Sequence, residues 1–281
     1  MSGLEFRAAI DFDFTRLADA FNRSFEGYAV SFQFDARALE QRSRPENWDL
    51  ASSFLAFHSG ELAGVLFASR RGRCCRVAAM GVTAAARRAG VGRAMMLRCI
   101  ADAEQRGDEE VLLEVIESNT AARKLYEAVG LVSQRRLVGF ELTTPPPGER
   151  APLTEIDVTE FAALAQVEYE PRTPWQMRPE TLANLTPPVR AFALENRAFV
   201  LLGDPSLARV SFRGFVVRRA ERRRHVGTCL LRALFAEFPG KVWAAAPIIP
   251  EGLADGFFLA NGFARAALSQ HEMLLRLSPS G

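Results

Sequence analysis

Val82-Thr83-Ala84-Ala85-Ala86-Arg87-Arg88-Ala89-Gly90-Val91-Gly92-Arg93-Ala94 decides how the chain is read. The residues before it, Arg76–Val82, read as a strand. Those after it read as a helix over residues 91–105, with Ala94, Leu97, Ile100 and Ala101 on one face. A glycine-rich turn between strand and helix is an anion cradle, because the first N–H groups of a helix have no intrahelical partner and its dipole adds partial positive charge. Glycines at 90 and 92 let a backbone come close to a pyrophosphate, and Arg87, Arg88 and Arg93 add charge. The dinucleotide fingerprint fails because Met95 stands where its last glycine belongs. The GK[ST] of a P-loop is absent.

Downstream, Val111–Ile116 is a near-continuous apolar run that suits a buried parallel strand. It leads into Asn119-Thr120-Ala121-Ala122-Arg123-Lys124-Leu125-Tyr126-Glu127-Ala128-Val129-Gly130-Leu131, a short helix capped by glycine. The Arg-x-x-Gly-x-Gly turn followed by N-x-x-A-x-x-L-Y-x-x-x-G-L resembles the two-part signature of the GNAT acetyltransferase family, over about residues 5–142. Ala84 stands where that family often has proline.

The resemblance implies roles for particular residues. Met80, Gly81 and Val82 would line the pantetheine arm of acetyl-CoA through their backbone. Arg88, Ala89, Gly90, Val91, Gly92 and Arg93, flanked by Arg87 and Ala94, would hold its pyrophosphate. Asn119 would contact the cofactor, Tyr126 would protonate the leaving thiolate, and Glu114 stands where some relatives keep a general base. Such chemistry needs an acid and a base within hydrogen-bond reach and N–H donors on the thioester carbonyl. It needs neither a metal nor a covalent intermediate. Each residue also has a structural reading: Asn119 as a helix N-cap, Tyr126 as a core aromatic, Glu114 as a solvated carboxylate, and the arginines as a solvated rim.

The 281 residues suit two domains, and 48% hydrophobic with 24% charged residues is the balance of a globular chain with a real core. A net charge of +2 gives no global field for nucleic acid or membrane, although all but two of the 35 basic residues are arginine. Cys74, Cys75, Cys99 and Cys229 form no CxxC pair and the three histidines are scattered, so no zinc-site spacing exists. No signal-length or membrane-length apolar run is present. A cytoplasmic protein, monomeric or homodimeric, is expected.

Thr143-Thr144-Pro145-Pro146-Pro147-Gly148-Glu149-Arg150 falls near the midpoint and reads as a linker. After it the pattern returns. Val217–Thr228 lies on Val82–Arg93 without a gap, Gly227 being 135 residues beyond Gly92, and Ala254–Phe263 lies on Ala122–Leu131. The chemistry has changed, however: Gly90 is answered by His225, Asn119 by Glu251 and Tyr126 by Phe258.

The expected fold is therefore α/β of the α+β type. It comprises two tandem GNAT-like domains, each a mixed, mostly antiparallel sheet with a V-shaped splay, flanked by helices. Residues 1–143 form the first domain, 144–150 the linker, and 151–281 a degenerate second copy. The expected function is acetyl transfer from acetyl-CoA to a primary amine of a small molecule or peptide, in the first domain. The segment 23–55, with Tyr28, Glu46, Trp48 and Asp49, is the expected acceptor loop. The alternative is a non-catalytic acyl-CoA sensor or interaction module.

Overall fold

The computed structural model describes residues 3–28 and 33–278. Residues 29–32 of the expected acceptor loop lie outside them. The elements run β1 (Leu4–Ala8), α1 (Phe14–Ser24), α2 (Ala36–Ser43), β2 (Phe54–His58), β3 (Glu61–Arg71), β4 (Cys74–Val82), α3 (Val91–Gln105), β5 (Glu110–Ile116), α4 (Thr120–Glu127) and β6 (Val132–Leu142). They continue with β7 (Leu153–Ile156), α5 (Val158–Glu168), α6 (Pro179–Ala183), β8 (Arg190–Leu194), β9 (Ala198–Leu202), β10 (Arg209–Val217), α7 (Val226–Glu237), β11 (Val242–Pro250), α8 (Asp255–Ala260) and β12 (Ala264–Arg276).

The chain divides into two units, but not at the proline run. One unit is Met1–Gln134 with His271–Gly281, and the other is Arg135–Gln270. The expected contiguous halves are thus interleaved. In the second unit β6 pairs antiparallel with β11, from Trp243↔Leu142 to Pro250↔Leu137. In the first unit the end of β12 follows β5, with Leu277 N–H donating to Glu109 O and Met273 buried in the same core as Val111 and Leu113. The proline segment is part of the second unit, since Glu149 N–H donates to Arg232 O and Arg232 donates back to Pro147 O at 3.1 Å.

Local chemistry explains the elements of the first unit. Asp13 caps α1 by accepting from Arg16 N–H at 2.8 Å, and Leu17, Ala20, Phe21 and Ser24 then recur on the buried face. Asp35 caps α2 in the same way, a helix that the sequence reading left inside the acceptor loop. Ser59 and Gly60 both take positive φ, which makes the two-residue hairpin turn between β2 and β3. A bulge between Phe67 and Ala68 shifts the register on β4.

β4 and β5 pair in parallel only from Cys74↔Glu110 to Val77↔Leu113, although β4 continues to Val82 and β5 to Ile116. The two strands diverge from there, which is the expected splay. The second unit repeats it, with β10 and β11 pairing from Arg209↔Val242 to Phe212↔Ala245 and β10 running on to Val217.

Candidate functional site

The gap beyond Val77 exposes one edge of β4, and the ladder on its other side dictates which backbone groups face it. Antiparallel partners alternate between bonded and non-bonded pairs. Thr83 N–H donates to Ala63 O at 3.0 Å, so the pairs Val82↔Gly64 and Met80↔Leu66 are non-bonded ones. The N–H and C=O of Met80 and Val82 therefore point away from β3, into the gap. The Val82 carbonyl accordingly accepts from Arg87 Nε at 3.1 Å.

Gly90 sits at φ +77° and turns the chain into α3 without a side-chain cap. The first intrahelical bond runs from Ala94 N–H to Gly90 O, which leaves the N–H groups of Val91, Gly92 and Arg93 without an intrahelical acceptor. Gly92 has a second duty. A β-carbon there would come within 3.1 Å of Leu125 on α4, so the two halves of the sequence signature touch at this residue. Ala89, Gly90, Arg88 and Arg93 are exposed around the turn, Val91 is buried and Ala94 is half-buried. Gly81 is also fixed by packing, since a β-carbon would lie 2.8 Å from the Phe25 ring.

Arg87 does not reach the cradle. Its guanidinium donates to the carbonyls of Val82 and Glu26, fastening the end of β4 to the segment after α1. Arg222 repeats the arrangement in the second unit, donating to Val217 O and to Glu168 O. A contact kept where the surrounding chemistry has changed belongs to the scaffold, so the expected pyrophosphate role of Arg87 does not suit its geometry.

Tyr126 on α4 is 7% exposed, and burial, with Tyr28 contributing, holds its phenol well above the usual tyrosine value. It is a protonated donor at neutral pH. Asn119 caps α4, its Oδ1 accepting from Ala122 N–H at 3.1 Å, which leaves its amide nitrogen outside the cap.

Glu114 departs most from expectation. It is the first residue of β5 beyond the paired region, and both carboxylate oxygens accept from Arg76 Nε, at 3.2 and 2.9 Å. Arg76 Nη1 also reaches Glu46 Oε2 at 2.8 Å. The Arg76 side chain is 3% exposed and that of Glu114 4%, so this is a buried ionic triad spanning the point where the strands part. Burial raises the Glu46 carboxyl, but Arg76 and Arg42 outweigh it and hold the group below its usual value. Both carboxylate oxygens of Glu114 are thus engaged by Arg76 inside the strand pair, a placement that differs from the general-base role expected of it. Sequence reasoning missed Arg76. The available signal was a charged residue in the apolar strand Cys74-Cys75-Arg76-Val77 with a second charge inside Leu113-Glu114-Val115.

In the second unit, His225 takes the position and the left-handed conformation of Gly90, at φ +60°. Gly227 repeats the packing of Gly92, its hypothetical β-carbon lying 3.0 Å from Phe257. Phe258 is buried and stacks on Phe140 at 4.6 Å, and Glu251 pairs with Arg136 and Arg265. Among the described residues no cluster of His, Cys, Asp and Glu suits a metal ion, and no helix is long and apolar enough to cross a membrane.

Residues 14–131 match the profile of the acetyltransferase (GNAT) family. A mycothiol acetyltransferase from Thermobispora bispora is 32% identical over 115 residues, which cover 38% of this chain and 39% of that protein. The chain thus matches about two fifths of that relative's length. A GCN5-related N-acetyltransferase from Sphaerobacter thermophilus shares the fold with a TM-score of 0.70 at 16% identity, covering 100% of this chain and 98% of that one. A tandem GNAT protein from the clavulanic acid biosynthesis pathway does so at 0.67 and 17% identity, covering 99% and 100%.

Proposed function

From the match of residues 14–131 to the GNAT acetyltransferase family, we propose that this chain moves an acetyl group from acetyl-CoA to a primary amine of a small molecule or peptide, and that the reaction runs in the first unit. One observation carries the reading. The strand gap, the glycine at the turn into α3 and the protonated phenol of Tyr126 occur together in residues 74–127, whereas in the second unit His225 stands in the place of Gly90 and Phe258 in that of Tyr126.

The N–H groups of residues 91–93 and the charges of Arg88 and Arg93 receive the pyrophosphate. The backbone of Met80, Gly81 and Val82 lines the pantetheine arm, and the Met80 N–H is directed to where a thioester oxygen gains charge. Acetyl-CoA supplies the activated acyl group. The amine nitrogen bonds to the carbonyl carbon, the carbon–sulfur bond breaks, and Tyr126 gives its proton to the departing thiolate. The proton that the ammonium gives up passes through water and restores the Tyr126 phenol. Glu114 stays with Arg76 and keeps β4 and β5 in place at the mouth of the gap.

Counting bound acetyl-CoA by native mass spectrometry tests this, together with free-thiol release over a panel of amines. One molecule per chain is expected, lost in Gly90→Trp and kept in Gly227→Trp, with thiol release on at least one amine. Binding without thiol release on any amine would favour a sensor instead.

A further inference from the structure

The second unit carries its own counterpart of the Met80 donor, and that donor is already taken. Arg218 N–H donates to Arg197 O at 3.0 Å, so Val217↔Ala198 and Phe215↔Val200 are non-bonded pairs and the Phe215 N–H faces away from β9 into the second gap. The two ladders agree pair by pair: Met80 lies opposite Leu66 just past the bulge in the first unit, as Phe215 lies opposite Val200 in the second. The Phe215 N–H donates to the hydroxyl of Tyr169 at 3.2 Å. A Gly214 β-carbon would stand 2.6 Å from the Phe161 ring and 3.2 Å from that hydroxyl, so the glycine makes room for both. Burial holds the Tyr169 phenol up at about 12, and it remains a neutral hydroxyl through the physiological range. Tyr169 is the residue after α5, where the chain leaves the helix in an extended conformation.

We propose that Tyr169 is a built-in occupant of the second gap. Its oxygen stands where a thioester carbonyl oxygen would accept the Phe215 N–H, which closes that unit to acyl-CoA. The inference rests on reading Met80 as the acyl-oxygen donor of the first unit, and it names the residue that removes the equivalent function from the second. His225 and Phe258 alter the phosphate and proton ends of the ancestral site. Tyr169 fills its middle.

Amide-resolved hydrogen exchange by NMR, on the full chain with and without saturating acetyl-CoA, tests this in wild type and Tyr169→Phe. In wild type the Phe215 amide should be protected without ligand and unchanged by acetyl-CoA, while the Met80 amide gains protection. In Tyr169→Phe the Phe215 amide should exchange at least tenfold faster, with Val216, bonded to β9, unaffected. Ligand-induced protection of Phe215 in wild type would overturn the proposal, as would an unchanged Phe215 rate in the variant. If acetyl-CoA leaves Met80 unprotected, the reading of the first unit fails, while the Phe215 result still decides the role of Tyr169.

Discussion

Replacing Arg76 by methionine removes the centre of the Glu46–Arg76–Glu114 triad while keeping a long side chain in place. Glu114, 4% exposed, loses the guanidinium that both its oxygens accept from. Glu46, 13% exposed, loses the Arg76 contact and keeps Arg42 at 3.9 Å. Stranding a buried charge costs about 3–5 kcal/mol. Whole-domain stabilities are about 5–15 kcal/mol, so the loss is a large fraction of the total. In a unit of this size it corresponds to about 6–20 °C in the melting temperature. Calorimetry at pH 7 should show the transition of the first unit shifted by that amount. The triple replacement Glu46→Gln, Arg76→Met, Glu114→Leu should recover most of it, since an apolar substitute removes the desolvation cost together with the attraction. The pH dependence supplies a second check. Because Glu46 is held below its usual value in the folded state, its contribution is present above the unfolded value of about 4.5 and is lost as pH falls through the folded one. That acid-side slope should disappear in the triple variant. A cost below about 1 kcal/mol for Arg76→Met would refute the argument, because it would mean water already reaches these charges.

Tyr126→Phe should bind acetyl-CoA within twofold of wild type yet lose about 10²–10⁴-fold in kcat, and a loss under threefold would take the phenol out of the proton step. Because burial raises that phenol, the wild-type rate should show no tyrosine ionisation up to its usual value of 10.0. Arg87→Ala and Arg222→Ala should each destabilise the chain by about 1–3 kcal/mol in urea titrations, both giving up hydrogen bonds from a charged group to backbone carbonyls. Arg87→Ala should leave the salt dependence of acetyl-CoA binding unchanged, whereas Arg88→Ala and Arg93→Ala should reduce it. His225→Gly should raise the melting temperature of the second unit, because a β-carbon in the left-handed region costs about 1–2 kcal/mol, and a lowered value would show that packing of the imidazole outweighs that strain.

The local grammar of the chain was readable without coordinates because it is written in short-range chemistry. Gly90 and Gly92 announce the strand-to-helix turn and Ser59-Gly60 marks a hairpin. Residues 91–105 read as a helix, but its buried face is Met95, Met96, Cys99, Ile100 and Ala103, so that of the expected Ala94, Leu97, Ile100 and Ala101 only Ile100 lies on it. Strand partnership was not readable. Nothing in Val132–Leu142 or Ala264–Arg276 says which unit each will complete, since an apolar strand fits any edge that offers the right register. The proline run misled for a related reason: proline forbids helix and central strand but does not require solvent, and this segment lies on α7 through Glu149 and Arg232. At the site, Gly90, Gly92, Asn119 and Tyr126 were visible as a pattern. Arg76 and Tyr169 were not, because their importance comes from partners distant in sequence.

The interleaving of the units also orders events during translation. When residues 110–116 leave the ribosome, the strand meant to follow β5, residues 271–276, has not yet been made. Until it arrives, β5 presents open N–H and C=O groups beside an apolar core, the kind of edge that recruits other chains. The first unit, although encoded first, can finish only after the second has been synthesised, a dependence on distant sequence that slows folding and lengthens exposure to chaperones.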